Sequence, residues 1–378
     1  MKKLFPFVSL ILLAACGDKD SSENAESENI LENLTFSVDT VVVDVGEEIF
    51  NPGAYYVNDL SPDRSKAYFL YMENEIHEID LENMKLLNRF VFQEDGPDAI
   101  PKYPNSFQIL PENEVFLGGY AQTGIFKVSG ENVANFKVRP ENLDGIPNDA
   151  AYSMTSQLHI SPDKSTMVSL PGIFGEAIEG LAVINTSDMS AKILELPALE
   201  LTKNYQIIYR VGNGATRTGD SQEIQFLNDR FVIYSGSTSD VYSYDWRTDS
   251  LQLHTFPHQL VPLSKTGQFT TTPDSREAQQ EATRAMRKQI TYGEFYWDAQ
   301  REIYYRFAEM NERYDDRGNF VDAEVYLFTY DKDLNLTGET EIKEWNHALS
   351  GCLIKDGKLY KKFVKGENPA FIIYTLNF

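Results

Sequence analysis

Cysteine is almost absent from this 378-residue chain: there are two, Cys16 and Cys352. With Cys16 set in an N-terminal leader, no disulfide framework is available, so the fold must rest on a large apolar core. Histidine is nearly as scarce. The five residues His77, His159, His254, His258 and His347 are scattered and show no ligand spacing of the His-Glu-x-x-His kind. No metal or cofactor is expected from them. Missing too are a Gly-x-Ser-x-Gly nucleophile elbow and a phosphate loop ending in Gly-Lys-Ser/Thr. Positive charge is in short supply, with 34 Lys and Arg against 57 Asp and Glu, for a net charge of −23. That balance sets aside nucleic acid and anionic lipid surfaces, which call for basic patches. The apolar run Leu4–Leu13, broken by Pro6 and Ser9, falls well short of the ~20 residues that span a bilayer.

What the leader does contain is a positive start, Met1-Lys2-Lys3, a short apolar run and small residues before a cysteine. This is the pattern of an export signal. Leu13-Ala14-Ala15-Cys16 resembles the lipobox of bacterial lipoproteins, in which the cysteine is lipid-modified and becomes the mature N-terminus. An ordinary secretory signal with an incidental cysteine is the alternative. The following "GDKDSSENAESEN" is polar, acidic and free of aromatics, a composition that cannot repay its ordering entropy. Asp18 and Asp20 behind the cysteine loosely resemble the surface-export signals of Bacteroidota lipoproteins. The expected division is therefore a signal peptide over 1–15, a lipidated, acidic, disordered tether over 16–33, and a folded domain over 34–378. The expected location is the cell envelope, as an outer-membrane lipoprotein facing the periplasm or displayed at the surface.

From Leu34 onward, short alternating segments rich in Tyr, Phe, Val and Ile are separated by turn residues, which reads as many short strands. "DLSPDRSKAYFLY" at Asp59 recurs as "HISPDKSTMVSL" at His159, with looser copies at Gln108, Gln225, Phe295 and Leu353. Each reads strand, tight turn, strand, and most are followed by two further strands. Four-stranded units repeated around a ring define a β-propeller. Six units start near Ala54, Ser106, Gln157, Gln222, Gly293 and Gly351. At roughly 58 residues each they exceed the ~40–50 of common propeller repeats, so seven blades stay open as the alternative. The sixth lacks a fourth strand, and the N-terminal "TFSVDTVVVDV" is expected to supply it, removing an exposed edge.

The lipobox, the opening "TFSVDTVVVD" and "ITYGEFYWDAQREIYYRF" (Ile290–Phe307) resemble the six-bladed propeller lipoproteins of Bacteroidota known as domain of unknown function 4221. The resemblance implies a fold and lends no reaction, cofactor or catalytic residue.

If the strands of each blade are lettered a to d from the axis outward, the a–b turns are short and the long segments gather at the opposite end. Long loops clustered round a channel mouth mark a default binding face. Between blades four and five, "SREAQQEATRAMRKQ" has a capped start at Ser275 and good helix formers. Its Arg284 and Arg287 are candidates for an anionic ligand, or else pair with Glu277 and Glu281 of the same helix. "NYQIIYRVGNGATRTGD" offers Tyr205, Tyr209, Arg210 and Arg217 beside glycines, a recognition loop or a flexible surface loop. Trp345 and His347 are placed at the channel rim. "DKDLNLTGE" mimics a calcium loop but carries Gly338 two positions late, so it reads as a turn. Cys352 reads as a small buried side chain.

These features suit a membrane-anchored binding or scaffolding module that holds a protein, peptide or glycan on its loop-rich face, more readily than an enzyme. A channel-sited hydrolase or lyase acting on a carbohydrate or lactone is the second reading, with Glu223, Glu294 and His347 as its candidate acids and bases. A structural subunit of an envelope complex is the third.

Overall fold

A computed structural model describes residues 29–47, 55–71, 74–149, 152–173, 180–212 and 214–378. The leader, Cys16 and most of the acidic tether lie outside the described residues. The rest is built on six four-stranded antiparallel sheets in a ring, the arrangement of a β-propeller, with two further two-stranded pairs, Tyr152–Ser153 with Gly172–Ile173 and Gln206–Val211 with Gly214–Gly219. Blade one is Tyr55–Leu60, Lys66–Tyr71, Glu75–Asp80 and Lys85–Val91. Blade two is Ser106–Leu110, Glu114–Gly118, Thr123–Lys127 and Asn132–Phe136. Blade three is His159–Ile160, Thr166–Ser169, Leu181–Asn185 and Ala191–Leu194. Blade four is Gln222–Leu227, Arg230–Ser235, Val241–Asp245 and Ser250–His254. Blade five is Thr291–Asp298, Ile303–Tyr314, Phe320–Asp331 and Leu336–Glu341. Blade six is Cys352–Lys355, Lys358–Lys365 and Asn368–Asn377, completed by Thr35–Val42, which pairs with the last of these from Thr35↔Asn377 to Val42↔Ala370. The expected closure by the N-terminal strand is observed, and six blades replace the six-or-seven alternative.

The apolar side of each strand packs against the next blade, so the core divides into one cluster per seam. Between blades four and five, for example, Val232, Tyr234 and Val241 meet Phe295, Tyr304 and Phe328. Between blades six and one, Leu353, Tyr360 and Phe371 meet Phe69, Tyr71 and Ile79. Each such side chain, fully buried, contributes about 1.5–3 kcal/mol. One cation is sealed in this core. Arg306 is fully buried, and it donates to the backbone carbonyls of Gly293 (2.9 Å), Ser239 (2.8 Å) and Ser235 (3.1 Å) while lying over the rings of Tyr292 and Phe295. Carbonyl dipoles and π faces take the place of a carboxylate partner there.

The first strands of the blades are further joined by a belt of side chains bonded to neighbouring backbone. Asp59 accepts from Ile109 N at 2.7 Å. Gln108 bonds both N and O of Ile160, at 3.1 and 2.8 Å. A His159 ring nitrogen bonds the backbone of Ile224, Gln225 bonds both N and O of Phe295 at 2.9 and 3.1 Å, and Tyr296 Oη accepts from Cys352 N at 3.5 Å. Arg64 completes the circuit from the turn of blade one, donating to Trp297 O (2.7 Å) and Ile354 O (3.2 Å). The inner strands of blades one to five thus each hand a polar group to the next blade, as buried backbone groups require partners.

One expectation changes and another is met. Residues 29–33, assigned to the disordered tether, belong to the folded body. Asn29 Nδ2 donates to Glu339 O (2.9 Å), Ile30 N donates to Thr337 O (3.2 Å), and Leu31 is fully buried. Gly338 makes this possible, since a Cβ there would sit 2.7 Å from Asn29 Oδ1. And "DKDLN" is indeed a turn: Asp331 Oδ1 accepts from Asp333 N and Asn335 N, at 2.9 and 2.8 Å.

Candidate functional site

The long segments rise from one end of the ring and build a crown over it. Three elements make it up. A hairpin, Gln206–Val211 with Gly214–Gly219, stands between blades three and four. The single α-helix among the described residues, α1 (Arg276–Arg287), follows blade four. The second and third strands of blade five overrun their neighbours, so that Arg313↔Asp322 and Tyr314↔Phe320 pair beyond the sheet.

Helix α1 forms as its residues dictate. Ser275 Oγ caps it by accepting from Ala278 N (3.2 Å), Glu277 lies in its first turn, and Arg284 and Arg287 lie in its last, matching the helix dipole. Ala282 and Met286, one turn apart, bury against Tyr205 and Ile207 of the hairpin segment, with Leu201 and Phe269 at the margin. On its other side, Asn311 N donates to Lys288 O (3.1 Å), and Arg287 lies 3.3 Å from Tyr314 Oη and 3.9 Å from Glu312. The strap leading to the helix is pinned by Lys265, whose ammonium is enclosed against Asp220 (3.0 Å) and Thr291 Oγ1 (2.9 Å), while Ser237 Oγ donates to Asp220 at 2.6 Å. Burial holds the Lys265 pKa below its usual value, against the pull of Asp220.

The sequence-derived candidates separate on this frame. Tyr205 is buried under the helix and is a packing residue, not a ligand contact. Tyr209 is half-buried, whereas Arg210 and Arg217 are exposed. Arg284 lies 5.8 Å from the centre of the Tyr314 ring. It and Arg287 therefore turn toward the blade-five hairpin, not toward Glu277 and Glu281 on their own helix. Trp345 is packed edge-on against Phe36 (5.3 Å) and Tyr374 (5.3 Å), with Phe307 at 5.5 Å, so it is a wedge between blades five and six. His347 pairs with Glu309 (2.8 Å) and its ring meets Phe320; that hydrogen bond pushes its pKa up. It does not join the other two catalytic candidates.

Glu223 and Glu294 do come together, on the adjoining first strands of blades four and five. Burial pushes the Glu223 pKa up and the charge of Glu294 adds to it, against a hydrogen bond from Ser221. Glu294 Oε1 accepts from Tyr296 Oη (2.5 Å) and from Gly351 N. Both charges also raise the pKa of buried Tyr234, after burial itself. Cys352 opens the neighbouring strand, half-buried, with burial pushing its thiol up to about 12, which leaves it unreactive. Deeper in the channel, burial lifts Asp59 to about 6 and depresses His159 to about 4. A separate surface groove of about 620 Å³ lies between the blade-five hairpin and the 341–346 segment, lined among others by Lys288, Arg313, Glu324 and Lys343. Among the described residues, no group of three or more His, Cys, Asp or Glu is placed to hold a metal.

The belt and Arg306 escaped the sequence reading. A signal for the belt was present: Asp59, Gln108, His159 and Gln225 each open one of the recurring segments. Arg306 has the weaker mark of a lone cation inside "YYRFA".

Comparison with known proteins now places the molecule. The profile of the family described as domain of unknown function (DUF4221) matches residues 27–341, and the chain belongs to that family. Among solved structures, it is similar to a DUF4221 family member from Bacteroides vulgatus, with a TM-score of 0.60 and 14% identity over 91% of this chain and 98% of that one. It is also similar to a protein of Bacteroides fragilis described as exported, with a TM-score of 0.50 and 9% identity over 90% and 95% of the two chains. No curated protein matches it. Among the described residues, no helix is long and apolar enough to cross a membrane.

Proposed function

We propose that this protein is an exported, lipid-anchored propeller of the cell envelope that binds a partner through the crown on its loop-rich face. The observation carrying this reading is the asymmetry of the ring. One end is closed by repeated tight turns, while the other supports two hairpins and a capped helix that the six-bladed core does not need. The crown also leaves Val211 (60%), Phe320 (39%) and Val321 (47%) exposed at its hairpins, apolar tips of the kind that anchor interfaces. The Leu13-Ala14-Ala15-Cys16 motif supports anchoring, and the exported relative from Bacteroides fragilis agrees with an envelope location. Cys16→Ser should move the protein from the membrane to the soluble envelope fraction; retention in the membrane would contradict the anchor. For binding, the full-length protein is used to capture partners from gently solubilised membranes, beside a variant with Val211, Phe320 and Val321 changed to Asp. Capture that survives the variant would contradict a crown-borne site.

The Glu223–Glu294 pair favours a second reading, acid–base chemistry on a carbohydrate or lactone at the channel mouth. A carboxyl whose pKa is raised by burial beside a second one is the arrangement such hydrolysis uses. Turnover of such a substrate that is lost in Glu223→Gln and in Glu294→Gln, with folding intact, would establish it.

A further inference from the structure

The crown hairpin has two unlike faces. On one, Ile207 is buried against Ala282 and Met286 of α1, and Thr216 Oγ1 accepts from Gln279 at 3.1 Å. The cross-strand register pairs Ile208 with Arg217 and Arg210 with Ala215, which puts these four on the other face. Arg210 and Arg217 are thus diagonal neighbours on a two-stranded ribbon, roughly 7–8 Å apart. Both are exposed, and neither forms an ion pair among the described residues. Partial burial around Arg217 holds its pKa below the usual value. Two like charges side by side repel, and the ribbon gains no contact from keeping them. In a chain of net charge −23, a carboxylate could easily have been placed beside them.

We propose that this face binds a linear polyanion, carrying carboxylate or sulfate groups on a polar backbone, with Arg210 and Arg217 as two forks for successive anionic groups. Guanidinium geometry matches both anions through paired N–H donors. The face favours a polysaccharide over other polyanions. Its apolar content is confined to Ile208 and Ala215, too little for the packed centre of a protein interface. Its aromatic neighbour Tyr209 belongs to the helix side, so no ring is offered for stacking nucleic-acid bases. The inference deepens the reading of the crown as a binding surface and does not depend on the lipid anchor.

The test is affinity electrophoresis of the full chain through native gels containing polygalacturonate, dextran sulfate, neutral dextran or poly(dT). Retardation is expected in at least one of the two anionic polysaccharide gels and not in dextran. Its apparent Kd should weaken at least tenfold in Arg210→Ala/Arg217→Ala, and likewise in Arg217→Glu should the double variant melt early. Response to polygalacturonate alone assigns a carboxylate ligand, and to dextran sulfate alone a sulfated one. No retardation in either, equal retardation of the variants, or stronger retention by poly(dT) would overturn the proposal. Partner capture that depends on Val211, Phe320 and Val321 while both polysaccharides fail would overturn this inference and leave the proposed function standing.

Discussion

At the short-turn end, blades one and three join their first two strands with the same atoms. Ser61 Oγ donates to Asp63 Oδ1 and Ser161 Oγ to Asp163 Oδ1, both at 2.6 Å. Ser65 and Ser165 each bond the same carboxylates at 2.8 Å, and Lys66 N and Thr166 N each return to the first serine at 3.0 Å. Arg64 and Lys164 take the same left-handed conformation, φ 57° and 63°. At the loop-rich end no such repetition is seen: the Gln206–Gly219 hairpin, α1 and the overlong strands of blade five are each built differently. The repeated end solves one problem, reversing a strand, wherever it arises. The unrepeated end carries structure that ring closure does not require, and this is why function is assigned there.

If that division holds, damage to the repeated scaffold should cost stability, and damage to the crown should cost binding. Deleting residues 29–42 removes the outer strand of blade six and should abolish cooperative thermal unfolding by circular dichroism. Next, Arg306→Met leaves three buried carbonyls unpaired and should lower unfolding free energy by about 3–5 kcal/mol, read from denaturant midpoints.

Asp59→Asn acts in the opposite sense. The folded-state pKa of Asp59 is raised to about 6 from 3.8, so the native state holds a proton that the unfolded chain releases. Stability from this group is present at low pH and is lost as pH rises from about 4 through about 6. An amide can still accept from Ile109 N without the charge. The variant should therefore be more stable above pH 6, by about 1–2 kcal/mol after allowing for its partial exposure, and the advantage should vanish near pH 4. The smallest expected changes, about 1 kcal/mol each, are those of Asp63→Ala and Asp163→Ala in the twin turns. Because the two turns match atom for atom, the two losses should agree; a clear difference would weaken the claim that they are one device used twice.

Most of the scaffold was legible in the sequence because turn chemistry is local. "SPDRSK" and "SPDKST" specify their hydrogen bonds within six residues, and the alternation around them sets the strands. The crown was harder to read. Three glycines in "VGNGATRTG" erase the apolar alternation, so a hairpin held by α1 from outside read as a loop. "EMNERYDDRGNFVDAE" looked like a loop because its charged residues hide strands that stand clear of the core and need no buried stripe. Tyr205 and Trp345 were credited with recognition on residue type alone, and only packing shows that both are wedges. Glu223 and Glu294 meet across seventy residues of intervening chain, a distance no local pattern bridges.

The most direct test of the division is a matched pair of capture experiments. One variant changes Val211, Phe320 and Val321 to Asp on the crown; the other reverses Glu302 and Lys332 at the short-turn end. Both should melt like the parent. The account predicts that the partner is lost from the crown variant and retained by the short-turn variant. Loss from the short-turn variant with capture intact on the crown variant would contradict it.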